Sequence, residues 1–412
     1  MELLLNSRRL ALFALLLASV SLFVFSTSSA EARGKAKLRS AVALDKGAAG
    51  GGKCANLASN RARAAAKRAT RPAAAHRISR RVRARVLRRC LVRERRSRRV
   101  KPVVPPTMVG GSLVVGIDGG YMGWSEDEIE ERAELGAAIT RHEWDPERPV
   151  DDQDDVMETA FGEIHTKIHA LLGGNQLGDP THYREWVIEF IRHYGIGGSF
   201  WDEHPELDES QFAITSVELG NEPYFGEMSV EEYAATVAPV LEEINRLNLP
   251  VTVVLPSRVY GSNTSWMDGL YALIPNLNEL FDAFAEHPYW YGHEPASSGP
   301  AGPFGRIETT RLRMNEYGAN TKPIWITEYG ESTADCGEEC VGEDIQALHL
   351  QQMLDAIVTR PDWGVKMISV FQLRDRGTDS SDRERQFGLI REDGSEKPAY
   401  PIVESAMDQF RG

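Results

Sequence analysis

The stretch "VELGNEPY", Val217 to Tyr224, ends a run of strand-forming residues with a carboxylic acid, Glu222, placed between an asparagine and a proline. The apolar residues before it are typical of a buried β-strand. Because Pro223 disfavours helical backbone at the preceding residue and stops the strand, we expect Glu222 to be extended. The strand therefore presents an acidic side chain at its carboxyl end.

Seven further strand-like segments precede or follow this one, and helical patterns separate them. The eight predicted strands lie within 112–120, 137–144, 167–174, 213–221, 251–257, 281–289, 323–330 and 366–375. Eight strand–helix units over about 300 residues favour an α/β fold closed into a (β/α)8 TIM barrel. A doubly wound open sheet is the alternative, but the first strand-to-helix turn, "GIDGGYMGWS", lacks the glycine fingerprint of dinucleotide-binding sheets.

The helical segments carry recognisable start signals. Ser125 with Glu128, and Ser229 with Glu232, have the spacing of capping boxes. In a capping box the serine and the glutamate each bind a free backbone N–H group of the first turn. We therefore expect helices to begin directly after these two serines.

The first 106 residues differ in composition from the rest. Residues 31–101 contain 24 Lys and Arg against 3 acidic residues, whereas the whole chain has a net charge of −13. Residues 1–30 join Arg8 and Arg9 to an apolar run, which is typical of an export signal peptide; an uncleaved membrane anchor is the alternative. Residues 31–106 are expected to be a basic, Ala/Arg-rich arm and linker, largely disordered or helical.

These features predict a secreted or envelope-associated protein whose residues 107–412 form the catalytic domain. The arm suits an anionic cell envelope as its partner, and it lacks the aromatic residues of a nucleic-acid binder. We expect a monomer. Disulfides are plausible within the pairs Cys54 with Cys90 and Cys336 with Cys340, although four cysteines allow three connectivities. Nothing in the sequence requires a metal or a cofactor.

Polar residues end most of the predicted strands, where the active sites of TIM barrels lie. They are Asp118, Arg141 with Glu143, Asn221 with Glu222, His287 with Tyr289, Glu328, and Arg374 with Asp375. Glu222 follows strand four and Glu328 ends strand seven, so the two can face each other across the barrel mouth. Two such carboxyl groups are what glycoside hydrolysis requires.

Several motifs of the chain resemble those of clan A of the glycoside hydrolases, the retaining (β/α)8 superfamily that includes cellulases and β-xylosidases. They are "GNEPY", "FDAFAEHPYWYG", "PIWITEYG" and the closing "FGLIREDGSEKPAY". The resemblance covers about Leu113 to Phe410. It implies hydrolysis of a β-linked polysaccharide or oligosaccharide by double displacement, with Glu222 as general acid/base and Glu328 as nucleophile.

The resemblance also implies roles for four neighbouring residues. Asn221 would bind the sugar hydroxyl next to the attacked carbon. Arg141 would pair with Glu328 and keep it ionised, because a nearby cation lowers the pKa of a carboxylate. Tyr289 would donate a hydrogen bond to Glu328. His287 would contact the substrate, and the alternative for it is a histidine packed at a strand end.

The chain departs from the clan at strand eight, where many members have a tryptophan. The segment "VFQLRD" places Gln372 and Arg374 there instead. Trp325 is expected to pack against a helix. Glu218, four residues before the proposed acid/base, lies on the same side of an extended strand, so it faces the barrel interior if Glu222 does. It would then be a structural residue that needs either a partner such as Arg141 or a protonated state. Because of the changed strand eight, a carbohydrate-binding envelope protein without catalysis is the alternative function.

Overall fold

The computed structural model describes residues 113–410, apart from 121–122, 227, 259–264, 290 and 297–298. The predicted export segment, the basic arm, Cys54 and Cys90 lie outside these residues. Within the described part of the chain, no helix is long and apolar enough to cross a membrane.

Eight parallel strands close into a barrel in which each strand pairs with its neighbours in sequence and the first pairs with the last. They are β1 (Val114–Asp118), β2 (Ile139–Trp144), β3 (Lys167–Leu172), β4 (Ser216–Leu219), β5 (Thr252–Pro256), β6 (Ala283–Glu286), β7 (Ile324–Tyr329) and β8 (Val365–Val370). The predicted (β/α)8 barrel is confirmed, and the doubly wound sheet is excluded.

Helices follow the strands and cover the outside of the barrel. They are α1 (Glu126–Leu135), α2 (Asp154–Glu158), α3 (Pro180–Tyr194), α4 (Ser199–Glu203), α5 (Glu209–Phe212), α6 (Val230–Leu247), α7 (Ser265–Leu273), α8 (Pro303–Glu316), α9 (Glu343–Thr359) and α10 (Ala399–Gln409). A π-helical turn, Thr159–Ile164, continues α2. Apolar residues between the strands and these helices form one large core.

Both predicted capping boxes are present. The hydroxyl of Ser125 accepts the backbone N–H of Glu128 at the start of α1, and Ser229 does the same for Glu232 at the start of α6. Each glutamate side chain in turn accepts the backbone N–H of its serine. The caps fix where the loops after β1 and β4 end, and both loops border the mouth of the barrel.

Trp325 lies inside the barrel, so the prediction that it packs against a helix was wrong. Its ring centroid is 5.1 Å from that of His169, and it packs against a branched residue of β5 and two alanines of β6. The prediction placed Trp325 on the opposite face of the strand from Ile326 and took the face of Trp325 as the outer one, whereas Ile326 belongs to the core outside the barrel. The register of β7 is irregular between Ile326 and Tyr329, as at a β-bulge. The irregularity breaks the strict alternation of faces.

Candidate active site

The six predicted site residues meet at one end of the barrel. Arg141 belongs to β2, Asn221 and Glu222 follow β4, His287 and Tyr289 follow β6, and Glu328 belongs to β7. The carboxyl ends of all eight parallel strands lie on the same rim, which is why residues far apart in sequence come together. Arg141 and Glu328 are hydrogen-bonded although 187 residues separate them.

The buried guanidinium of Arg141 joins three carboxylates and one amide. Its Nε lies 2.8 Å from Glu218, and its Nη1 lies 3.1 Å from Asp118 and 2.7 Å from Glu328. Its Nη2 donates to the side-chain oxygen of Asn221 at 2.9 Å. Although burial opposes it, these carboxylates raise the pKa of Arg141 further above its ordinary value. Arg141 therefore stays protonated. Because Arg141 binds the side-chain oxygen of Asn221, the NH₂ group of the same amide points away from the guanidinium.

Glu218 is fully buried and held by several donors. Besides Arg141, His169 Nε2 lies 3.3 Å from its carboxylate and the hydroxyl of Thr327 donates to it at 3.2 Å. Burial alone raises the pKa of a glutamate, but the charge of Arg141 outweighs burial and lowers the pKa of Glu218. Its place inside the barrel, paired with Arg141, is what the sequence analysis expected.

The carboxylate of Glu328 receives a phenol as well as the guanidinium. The hydroxyl of Tyr289 donates to its Oε2 at 3.1 Å. Burial raises the pKa of Glu328, against the opposing charges of His287 and Arg141. Burial also raises the pKa of Tyr289, so that its hydroxyl is a neutral donor. Both contacts that the resemblance implied for Glu328 are present.

Glu222 has a left-handed backbone, with a φ of 41°, so the expectation of an extended residue was wrong. The backbone N–H of Phe225 donates to the carbonyl of Glu222 at 2.8 Å, which closes a tight turn directly after β4. Pro223 disfavours the right-handed helical conformation at Glu222. Glu222 adopts left-handed rather than extended backbone, which bends the chain away from the strand direction just before the turn. Left-handed backbone is costly for a residue other than glycine.

His287 links the two glutamates. Its Nδ1 is 2.9 Å from Glu222 and 3.7 Å from Glu328, and its Nε2 is 2.9 Å from the hydroxyl of Thr327. Burial lowers the pKa of a histidine, but the charges of Glu328 and Glu222 outweigh burial and raise the pKa of His287 to about 9. Its hydrogen bond in turn lowers the pKa of Glu222, although burial of that carboxyl opposes the effect. Both ring nitrogens of this histidine are thus engaged by protein groups.

Strand eight contributes differently from what the sequence suggested. Arg374 points away from the mouth, pairing with Glu131 of α1 and with the carbonyl oxygen of Glu392. Gln372 is buried. The half-buried aromatic ring that follows β8 is Phe371, which lies 5.3 Å from the ring of Phe387. Arg374 is displaced because its segment pairs with the residues around Ile390 rather than continuing the barrel.

Other groups complete the mouth. Asp118, which the sequence analysis named without a role, accepts hydrogen bonds from Arg141 and from a backbone N–H. Glu143 lies two residues after Arg141 on the same face of β2. Its side chain makes no hydrogen bond within the described residues, and burial raises its pKa. The sequence analysis did not identify Thr327, whose hydroxyl binds both His287 and Glu218. Its position next to Glu328 was the only feature of the sequence that could have indicated this role.

The described residues contain no group of three or more His, Cys, Asp and Glu that could hold a metal ion. The predicted pairing of Cys336 with Cys340 is present as a disulfide in the loop after β7. The polar groups that the described residues bring together at the mouth include the carboxyl groups of Glu222 and Glu328, the imidazole of His287, the guanidinium of Arg141, the amide of Asn221 and the phenol of Tyr289.

No family model and no curated protein matches this sequence. Among solved structures, a family 39 glycoside hydrolase from the gut symbiont Bacteroides cellulosilyticus WH2 is similar, with a TM-score of 0.54, 14% identity, and 72% of this chain and 64% of that chain covered. A glucosidase from Croceicoccus marinus has a TM-score of 0.51, 14% identity, and 72% and 68% of the two chains covered. This chain thus spans less than two thirds of the first enzyme. The likeness shows that the chain has the barrel fold of these glycoside hydrolases, as the resemblance to clan A predicted.

Proposed function

We propose that this protein is a retaining glycoside hydrolase that cleaves O-glycosidic bonds of a β-linked polysaccharide or oligosaccharide. The observation that carries the proposal is the pair of glutamates, Glu222 and Glu328, which two separate strands bring to either side of His287. The shared fold with the two glycosidases supports it, and so does the full set of contacts around Glu328.

The spacing of the two carboxyl groups supports retention of configuration. One nitrogen of His287 lies 2.9 Å from an oxygen of Glu222 and 3.7 Å from an oxygen of Glu328. Those two oxygens are therefore at most about 6.6 Å apart, the sum of the two distances. This upper limit lies at the lower end of the separation in inverting enzymes, about 6.5 to 9.5 Å, and any shorter distance approaches the about 5 to 5.5 Å of retaining enzymes. Little room remains for the water that inversion places between nucleophile and sugar.

In the first step the carboxylate of Glu328 attacks the anomeric carbon, and the bond from that carbon to the leaving oxygen breaks. Glu222 gives its proton to the leaving oxygen. In the second step Glu222, now a carboxylate, takes a proton from a water molecule whose oxygen attacks the anomeric carbon. Glu328 then leaves as a carboxylate, whose charge Arg141 and the hydroxyl of Tyr289 stabilise.

The first step requires a proton on Glu222, and His287 can supply it. Because the pKa of His287 is raised to about 9, its imidazole holds a proton at neutral pH and donates it in the 2.9 Å hydrogen bond to Glu222. In the free enzyme the proton stays on His287, because the same hydrogen bond lowers the pKa of Glu222. As Glu328 attacks, the negative charge that raises the pKa of His287 most is lost, and the proton can then pass through Glu222 to the leaving oxygen. His287 is then a positioning residue that also stores the proton.

Removing each carboxyl group tests the proposal. Glu328→Ala and Glu222→Ala should each lower kcat/KM on a panel of aryl β-glycosides by about a thousandfold or more. Added azide should restore turnover of Glu222→Ala and give a glycosyl azide of retained configuration, because azide replaces the water that no longer has a base. Glu328→Ala should give no product of retained configuration, because it lacks the nucleophile.

The matched control is Glu231→Ala, which removes an exposed glutamate from the first turn of α6 and should leave turnover unchanged. Full activity in either of the two site variants would refute the corresponding role. Proton NMR of the first wild-type product reports its anomeric configuration, and an inverted product would rule out double displacement. Glycan binding by calorimetry without turnover would instead favour the non-catalytic alternative.

A further inference from the structure

Phe225 is a large apolar side chain exposed at the rim of the candidate active site. It is 54% exposed, and it stands three residues after Glu222. The hydrogen bond from its backbone N–H to the carbonyl of Glu222 places the two α-carbons within about 7 Å of each other, as in other β-turns. Leu312 of α8 is similarly exposed, at 63%, but on the outer surface of a covering helix.

The surroundings of Phe225 hold its ring in place. The guanidinium of Arg258, in the loop after β5, lies 5.2 Å from the ring centroid of Phe225 and 5.1 Å from that of Tyr224. It also donates to the carbonyl of Tyr224 at 3.0 Å. Gly226 approaches the carbonyl oxygen of Asn175 so closely that a methyl group there would lie 2.8 Å from it. The exposed ring therefore has a cationic contact on one side and a tightly packed backbone beside it, which reduces the conformational entropy that it loses when a ligand covers it.

An exposed aromatic ring close to the general acid suits one kind of ligand. The acid must touch the oxygen of the leaving group, so the leaving group lies on the side of Glu222, whereas the attacked sugar lies toward Glu328. A pyranose ring has an apolar face of C–H groups, and an aromatic ring can cover that face and remove both surfaces from water. A small alcohol as leaving group would not reach or cover such a ring.

We propose that Phe225 is the stacking platform for a sugar ring on the leaving-group side, and therefore that the substrate is cleaved between two sugar units. This inference rests on the proposed glycosidase function and deepens it. It assigns the preference for a sugar over a small alcohol as the leaving group to a residue outside the charged network. Arg258 acts through Phe225 by fixing the ring, and it is a positioning residue.

The test compares two substrates that share the same attacked sugar. A glycosyl fluoride has no ring in its leaving group, whereas the corresponding disaccharide has one. Phe225→Ala should lower kcat/KM for the disaccharide by about tenfold, the size of a lost aromatic contact, and leave the glycosyl fluoride within about twofold. Phe225→Trp should retain the activity on the disaccharide, and Leu312→Ala should change neither substrate. Equal loss on both substrates, or no loss on the disaccharide, would overturn the inference.

Calorimetry separates this inference from the proposed function. Gluco-, manno- and xylo-oligosaccharides with β-1,4 linkages are titrated into the wild-type protein and into Phe225→Ala. The affinity of the oligosaccharide that binds should fall about tenfold in the variant, whether or not it is hydrolysed. A wild-type protein that binds but turns over neither substrate would contradict the proposed hydrolase, while the ratio of the two affinities still decides the role of Phe225. Equal affinities would overturn that role.

Discussion

The left-handed backbone of Glu222 is a cost that the turn after β4 imposes on one residue. A glycine adopts a φ of 41° without steric strain, whereas an alanine does not. Glu222→Gly should therefore be more stable than Glu222→Ala by about 1 kcal/mol, measured as the free energy of unfolding in urea. At Glu242, an exposed position inside α6, the order should reverse, because glycine weakens a helix. If the glycine variant were less stable than the alanine variant at both positions, the backbone of Glu222 would not be strained.

The proton on His287 couples stability to pH. The pKa of this residue is about 9 in the folded protein and about 6.5 in an unfolded chain, so the folded state binds the proton more tightly. The resulting stabilisation is complete below pH 6.5 and is lost as pH rises through about 9. Wild type should lose up to about 3 kcal/mol of unfolding free energy across this window. His287→Gln should lose clearly less, and parallel stability curves for the two proteins would exclude the charged histidine.

At the scale of elements, the sequence was sufficient to predict the strands and the helix starts, because neighbouring residues determine both. Strand positions followed from apolar runs, and helix starts followed from the serine and glutamate of the two capping boxes. The rule that parallel strands end on one rim then brought Glu222 and Glu328 to one mouth. Those inferences needed no knowledge of packing.

The predictions were wrong at positions where contacts with distant parts of the chain determine the direction of a side chain or the backbone conformation. Trp325 points inward in a strand of irregular register, and no residue type in "PIWITEYG" predicts that irregularity. The turn after β4 overrides the extended backbone that Pro223 suggested. Arg374 leaves the mouth because its segment pairs with a distant part of the chain near Ile390. Each of these depends on a partner that sequence spacing does not reveal.

At the scale of the whole molecule, the charge of the chain is divided between its segments. Residues 31–101 carry 24 Lys and Arg against 3 acidic residues, while the chain as a whole is at −13. We propose that this segment holds an exported, acidic body at an anionic envelope. Deleting residues 31–101 should move the protein from the cell fraction to the medium, with its hydrolysis of aryl glycosides unchanged. Washing cells with about 1 M salt should release the full chain, because salt screens such attraction. A deletion variant that stays with the cells would contradict the tether.

The buried guanidinium of Arg141 also sets an order of events during synthesis. Asp118 leaves the ribosome before Arg141 and Glu218 follows it, whereas Glu328 follows 187 residues after the arginine. At about 5 to 20 residues per second, the arginine is made roughly 10 to 40 s before the proposed nucleophile. During that interval Asp118 and Glu218 can already neutralise it, so the nascent barrel never has to bury an unpaired cation. The last ion pair can form only when the seventh strand docks, so the charged network is complete before β8 pairs with β1 and closes the barrel.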